Sequence, residues 1–241
     1  MFTHYRTQGF ILKKVDSGET DRIFTIYTKD FGKLELLAKA ERKIKSKLRA
    51  GLGLFYLSEI EFIQGKAHKT LTDAILISDF KNLRKGLKRL SVAYKISEVI
   101  DNLVKGQEPD EKIWQLLTDV FERLNNLSLV GDRPLLIYHY FLWNLFSILG
   151  YELELYHCSL CQKKLSPGNI YFSLKEEGLI CQNCSKKVES VKGADPATIK
   201  ILRIILKKDW PLFSKLKIEK SHLESLASIS EDWYSSILNN L

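Results

Sequence analysis

The chain's four cysteines fall in two pairs, Cys158-Ser159-Leu160-Cys161 and Cys181-Gln182-Asn183-Cys184, with 19 residues between them. A CxxC turn lets two thiolates point at one centre. Two such turns on a hairpin-length connection supply the four sulfurs of a tetrahedral zinc site. The connection reads as that hairpin: Pro167-Gly168-Asn169 is a turn signal, Ile170 to Leu174 a strand, and Glu177-Gly178 a second turn before Leu179-Ile180. A zinc ribbon is therefore expected at about 155–192, with Zn2+ bound by Cys158, Cys161, Cys181 and Cys184. Four thiolates leave a metal no open position, so its role is structural, contributing on the order of 10 kcal/mol to folding the ribbon. Disulfides, a redox pair and an iron–sulfur cluster are the alternatives. Disulfides need an oxidising compartment, and nothing at the N-terminus reads as a signal peptide. A thioredoxin-type pair uses one CxxC at the start of a helix.

The second group with chemical potential is cationic. Between Lys39 and Arg49 stand six cations (Lys39, Arg42, Lys43, Lys45, Lys47, Arg49) and one acid, Glu41. Residues 81–95 add six more, Arg84, Lys85, Lys88 and Arg89 among them, and no acid. The formal charge of the chain is +8, which favours a polyanionic partner. Clustered Lys and Arg neutralise phosphates and make binding salt-dependent; the alternative is a solvated loop whose charges only aid solubility. No run approaches the roughly 18 apolar residues of a membrane span, so no membrane partner is expected and the cytoplasm is the default location.

The elements that must position these groups form an α+β arrangement of an N-terminal barrel and a helical domain. In residues 1–80, Gly9–Val15, Asp21–Thr28, Lys33–Ala38, Leu54–Gln64 and Ala67–Ile77 read as strands separated by turns. Five short strands in this length suit an OB-fold barrel, often used for single-stranded nucleic acid. Phe24, Phe31, Phe55, Tyr56 and Phe62 could stack on bases, but barrel cores need large fillers, and most are assigned there. Residues 81–241 read as helical, with the ribbon inserted. One helix is expected from Asp79 to Val104, with Leu83, Leu87, Leu90, Tyr94, Ser97 and Ile100 near one stripe. Others are expected after Pro109 (Trp114, Leu117, Val120, Phe121, Leu124), after Asp132-Arg133-Pro134 (Leu135–Leu149), after Asp195-Pro196 (Ile199, Leu202, Ile205, Leu206), and from about Ser221. The last has a capping-box pattern, Ser221 to Glu224, and the apolar positions Leu223, Leu226, Trp233 and Ile237. His139 and Trp143, four apart on the third of these helices, read as buried packing.

Nothing in the chain reads as catalytic. It has no GxxxxGK[ST], no GxGxxG in a βαβ setting, no GxSxG, no HExxH, and no paired-acid cluster.

The order of parts resembles the RecO family of bacterial recombination mediators. Gly9-Phe10-Ile11-Leu12, then Ser17-Gly18-Glu19-Thr20-Asp21-Arg22, looks like the family's opening strand and Glu-x-Asp-Arg turn. Thr28 to Lys33 looks like its second turn. Ala38-Lys39-Ala40-Glu41-Arg42-Lys43 with Ser46-Lys47-Leu48 resembles its basic loop, where the family more often has glycine in place of Ala40. The resemblance runs to about residue 210. It implies an OB fold, a helical domain with a zinc ribbon, and a non-enzymatic, nucleoid-associated role. That role is to bind single- and double-stranded DNA, anneal complementary strands and, with RecR, help load RecA onto strands coated by single-strand-binding protein (SSB). It also implies contact with the acidic C-terminal tail of SSB, for which Arg123 and Arg133 are candidates. A protein–protein adaptor that does not bind DNA is the alternative function.

Overall fold

The computed structural model describes residues 3–65, 68–126, 133–166, 168 and 170–240. Five strands, β1 (His4–Ser17), β2 (Asp21–Thr28), β3 (Gly32–Ala38), β4 (Leu57–Gln64) and β5 (Lys69–Ser78), close a barrel in the order β1-β2-β3-β5-β4. At 14 residues β1 serves two neighbours. His4–Phe10 pairs with β4 and Gly9–Ser17 with β2, and a register shift between Ile11 and Lys13 accompanies the handover. Closure between β3 and β5 is parallel and short, Leu36–Leu37 on Lys69–Thr70.

Side-chain alternation fills the barrel. Phe24 and Ile26 of β2 meet Ile11, Leu34, Leu36, Ile60, Phe62 and Leu71 inside. Burying each such side chain stabilises the fold by about 1.5–3 kcal/mol. The other face of β2 is covered too. Tyr27 is buried there, its hydroxyl donating to the Asp110 carbonyl at 3.2 Å, and burial pushes its pKa up to about 12. Phe24, Phe55 and Phe62 are all core. The fourth strand starts at Leu57, later than the expected Leu54, because Phe55 is left-handed (φ 62) and a turn precedes it. Ala67, expected in the fifth strand, lies outside the described residues.

Helices α1 (Lys81–Arg84), α2 (Leu87–Leu103) and α3 (Glu111–Asn126) follow. The single helix expected from Asp79 is therefore two, broken where Gly86 takes extended dihedrals (φ −132, ψ 120). The break resets the phase of α2. Its buried stripe is Arg89, Val92, Ala93, Ile96, Ser97, Val99, Ile100 and Leu103, while Leu87 and Tyr94 face solvent. Asp110 starts α3 as expected, its carboxylate accepting from the Lys112 and Ile113 N–H groups at 2.8 and 3.1 Å.

Helix α4 (Arg133–Ile148) follows; Asp132 of its start signal lies outside the described residues. The chain divides into two compact units between Ile137 and Tyr138, within α4. In the second unit the centre of α4 is buried. The Ser230 hydroxyl donates to the Leu226 carbonyl at 2.7 Å, so its oxygen accepts from Trp143 Nε1 (2.9 Å) and His139 Nδ1 (3.1 Å). His139 is thus a packing residue. The ribbon comprises β6 (Ile170–Ser173), β7 (Gly178–Cys181), the one-turn α5 (Gln182–Ser185) and β8 (Lys192–Ala194), in the order β7-β6-β8. The hairpin was expected and β8 was not. Pro167 and Asn169 of the expected turn lie outside the described residues.

Asp195 caps α6 (Pro196–Leu206), and α7 (Trp210–Phe213) and α8 (Lys220–Asn239) complete the chain. Leu223, Leu226, Trp233 and Ile237 are buried as expected. The capping box does not form. Helix α8 begins at Lys220 with Glu219 at its cap position, so Ser221 already lies in the first turn.

Candidate nucleic-acid interface and metal centre

The basic connection leaves β3 through Ala40, whose backbone is left-handed (φ 53), a conformation that costs an L-residue roughly 1–2 kcal/mol. The turn after β1 holds it there. The Asp21 carboxylate accepts from the Ala40 N–H at 2.7 Å, and the Thr20 carbonyl accepts from the Arg42 N–H at 3.0 Å. The Ala40 amide, with the Thr20 hydroxyl, draws the Asp21 carboxyl below its ordinary 3.8. Arg22 donates to Asp16 at 2.7 Å and to Glu41 at 2.9 Å. Glu41 is only 2% exposed, because Arg22 supplies the charge partner that burial of a carboxylate requires. The run's one acid is therefore turned inward. Lys39, Arg42, Lys43, Lys45, Lys47 and Arg49 are all exposed. Arg42 lies 3.5 Å from Asp16. A single connection thus displays six cations and no anion.

Farther along, Phe55 N–H donates to the Ile11 carbonyl at 2.7 Å, and Arg84 donates to the Leu54 carbonyl while its guanidinium lies 4.2 Å over the Tyr56 ring. This gives Arg84 a packed, oriented setting next to the end of the same connection. Lys85 and Lys88 are exposed. Arg89, expected among the surface cations, is instead buried at 4% exposure and donates to the Asn82 carbonyl at 2.9 Å. The break at Gly86 explains this correction. It ends α1 early and leaves its carbonyls for a donor to satisfy.

Sequence reasoning missed the anchoring roles of Asp21 and Arg22. It also missed a groove of about 380 Å³ lined by Leu87, Lys88, Ser91, Val92, Lys95, Pro134 and Leu135. Leu87, 88% exposed, stands at it. Arg133, exposed, is the chain neighbour of Pro134 in this groove, whereas Arg123 is bound by Asp119 through contacts of 2.8–2.9 Å. An apolar residue left outside the buried stripe was the available signal, but it appears only once the phase of α2 is known.

The four cysteines converge as expected. Their sulfurs all lie within 4.8 Å of one another, Cys161 and Cys181 at 3.9 Å. Tetrahedral coordination with metal–sulfur bonds of about 2.3 Å places sulfurs about 3.8 Å apart, so the set fits one ion. Backbone geometry orients the two turns. Gln162 N–H donates to the Cys158 carbonyl at 2.8 Å in the first, and Lys187 N–H to the Cys184 carbonyl at 2.9 Å in the second. Burial works against ionising Cys158, but amide donors from Cys161, Cys181 and Leu160 outweigh it and bring that thiol to about 6. Burial and the neighbouring sulfurs push Cys184 up to about 12. The four sulfurs are close enough to share one metal ion.

The chain matches two family models end to end: Recombination protein O N terminal over residues 1–80 and Recombination protein O C terminal over residues 84–240. It is 33% identical to the DNA repair protein RecO of Dehalococcoides mccartyi strain CBDB1 over 92% of this chain and 86% of that one. It is 28% identical to the RecO of Acetivibrio thermocellus over 95% and 89%, and 29% identical to that of Thermoanaerobacter sp. strain X514 over 88% and 84%. No helix among the described residues is long and apolar enough to cross a membrane. A five-stranded barrel carrying a pinned cationic connection, a helical part, and four convergent cysteines agree with those matches, and the chain belongs to the RecO family of DNA repair proteins.

Proposed function

We propose that this protein is a non-catalytic recombination mediator that binds single- and double-stranded DNA through the connection Lys39–Arg49, anneals complementary strands and, with RecR, helps load RecA onto SSB-coated single strands. The observation that carries this reading is the inward turn of Glu41, which leaves six exposed cations and no exposed acid within the connection itself, Asp16 of β1 facing only Arg42 among them. Annealing needs phosphate neutralisation so that two polyanions can approach, and no covalent step. Residues 1–80 are the DNA-binding domain in this reading and 81–241 the helical domain, with the ribbon inserted. The metal is Zn2+, a fit for four thiolates with no open position. The groove of Leu87, Val92, Pro134 and Leu135, with Lys88 and Lys95 beside it, suits an acidic peptide with apolar residues and is the seat proposed for the SSB tail. The protein works at the nucleoid in the cytoplasm.

Fluorescence anisotropy of a labelled single strand across a salt series tests the DNA reading. Reversing charge at Arg42, Lys43, Lys45 and Lys47 should weaken binding to every sequence alike and reduce the salt slope by roughly 3, at about 0.7 per phosphate contact. Unchanged affinity and slope would remove the connection from the interface. A wild-type protein that fails to bind even at low salt would favour the adaptor reading, in which the groove is the principal site.

A further inference from the structure

Ile44 is the most exposed large apolar side chain among the described residues, with 91% of its surface in solvent. A single exposed apolar residue is ordinary on a protein surface. Two features set this one apart. First, it is presented from a fixed backbone. Lys43 N–H donates to the Ala40 carbonyl at 3.1 Å, Ser46 N–H donates to the Lys43 carbonyl at 3.0 Å, and Ala40 is itself pinned by Asp21 at 2.7 Å. Second, Lys43 and Lys45 flank it, exposed, in a stretch whose one acid faces inward. An apolar tip between cations is complementary to a partner that offers negative charge and flat apolar faces in close succession. A nucleotide offers both, a phosphate and a base face. Apolar side chains of this size act as wedges between base steps in other nucleic-acid complexes, and unstacked bases of single strands offer their faces without prior disruption of a stack.

We propose that Ile44 is a base-contacting tip. The flanking cations hold phosphates while the Ile44 side chain packs on an unstacked nucleobase, so that the connection favours single strands over stacked duplex. This inference rests on the DNA-binding reading above, and it separates Ile44 from the charges around it by the kind of free energy each contributes. Cations set the salt slope through counterion release. An apolar contact sets the affinity that remains when binding is extrapolated to high salt.

Anisotropy titrations of wild type and Ile44→Ala, each over a salt series, provide the test with three probes: a single-stranded oligonucleotide, its fully paired duplex, and a strand of abasic residues with the same phosphate count. Because Ile44 is exposed, the substitution leaves the core intact, and a thermal melt verifies that. Ile44→Ala should bind the single strand roughly fivefold to tenfold more weakly at every salt concentration. Its salt slope should be unchanged, and it should match wild type on the duplex and the abasic strand. Equal affinity of the two proteins for the single strand overturns the inference and leaves DNA binding standing. A defect that persists on the abasic strand, or is equal on duplex, overturns it as well, since Ile44 would then act on something other than bases. Absence of DNA binding by wild type removes the underlying reading and the inference with it.

Discussion

The basic connection and the cysteine turns solve one problem with opposite chemistries. Each is a short irregular segment that must keep a defined shape at the edge of a small sheet. The connection is held by groups belonging to the barrel: Asp21 and Arg22 at the start of β2 grip Ala40 and Glu41 across to the end of β3. That grip exists once two strands pair. The cysteine turns are held by sulfurs that cannot all ionise together, with Cys158 drawn to about 6 and Cys184 pushed to about 12. A metal ion held by all four sulfurs would complete their grip. The first device is unconditional, complete in the polypeptide alone; the second is conditional and would be completed by a metal ion. The cationic segment is thus the one whose shape does not depend on a metal.

Breaking the conditional device should have the largest effect. Cys158→Ser or Cys181→Ser should release the metal, and with it free energy on the order of 10 kcal/mol for the ribbon. Elemental analysis should show loss of zinc, while DNA affinity carried by the connection stays at the wild-type level. Full zinc occupancy in both variants would contradict a four-sulfur site. On the unconditional side, Arg22→Met should leave Glu41 buried without its cation and destabilise the barrel by about 1–3 kcal/mol. Urea unfolding would register that loss, and an unchanged midpoint would mean that Glu41 finds another partner. The smallest effect concerns Asp21. Because its folded-state value is depressed, its contribution is fully present above 3.8 and is lost as pH falls through the lower folded value. Hydrogen exchange at the Ala40 amide, compared between wild type and Asp21→Asn, should therefore differ at neutral pH and converge in strong acid. A difference that persists there would place the anchor elsewhere.

The same contrast explains what could be read from the chain alone. Cysteine spacing was legible because four sulfurs at one centre dictate it, and strand alternation in β3 was legible because a barrel needs one face filled. The break between α1 and α2 was not, since Leu83, Leu87 and Leu90 continue a helical period straight through Gly86. The glycine, about 1 kcal/mol unfavourable in a helix interior, was the only warning. Once the phase moved, Leu87 went outward and Arg89 inward. A charged residue reads as surface, and the carbonyl of Asn82 that receives Arg89 exists as a partner only after the break. Glu41 was invisible for the same reason: its burial depends on Arg22, 19 residues earlier. The three-residue β8 was too short to show alternation.

The double service of β1 also bears on how the protein is made. Its hairpin with β2 needs only residues up to Thr28, but its other edge pairs with residues 57–63, made later. At about 5–20 residues per second, the nascent chain carries an open strand edge for roughly 2–7 seconds before residues 57–63 exist to cover it. Until then His4–Phe10 presents unpaired N–H and C=O groups, the kind of strand edge that invites pairing with another chain.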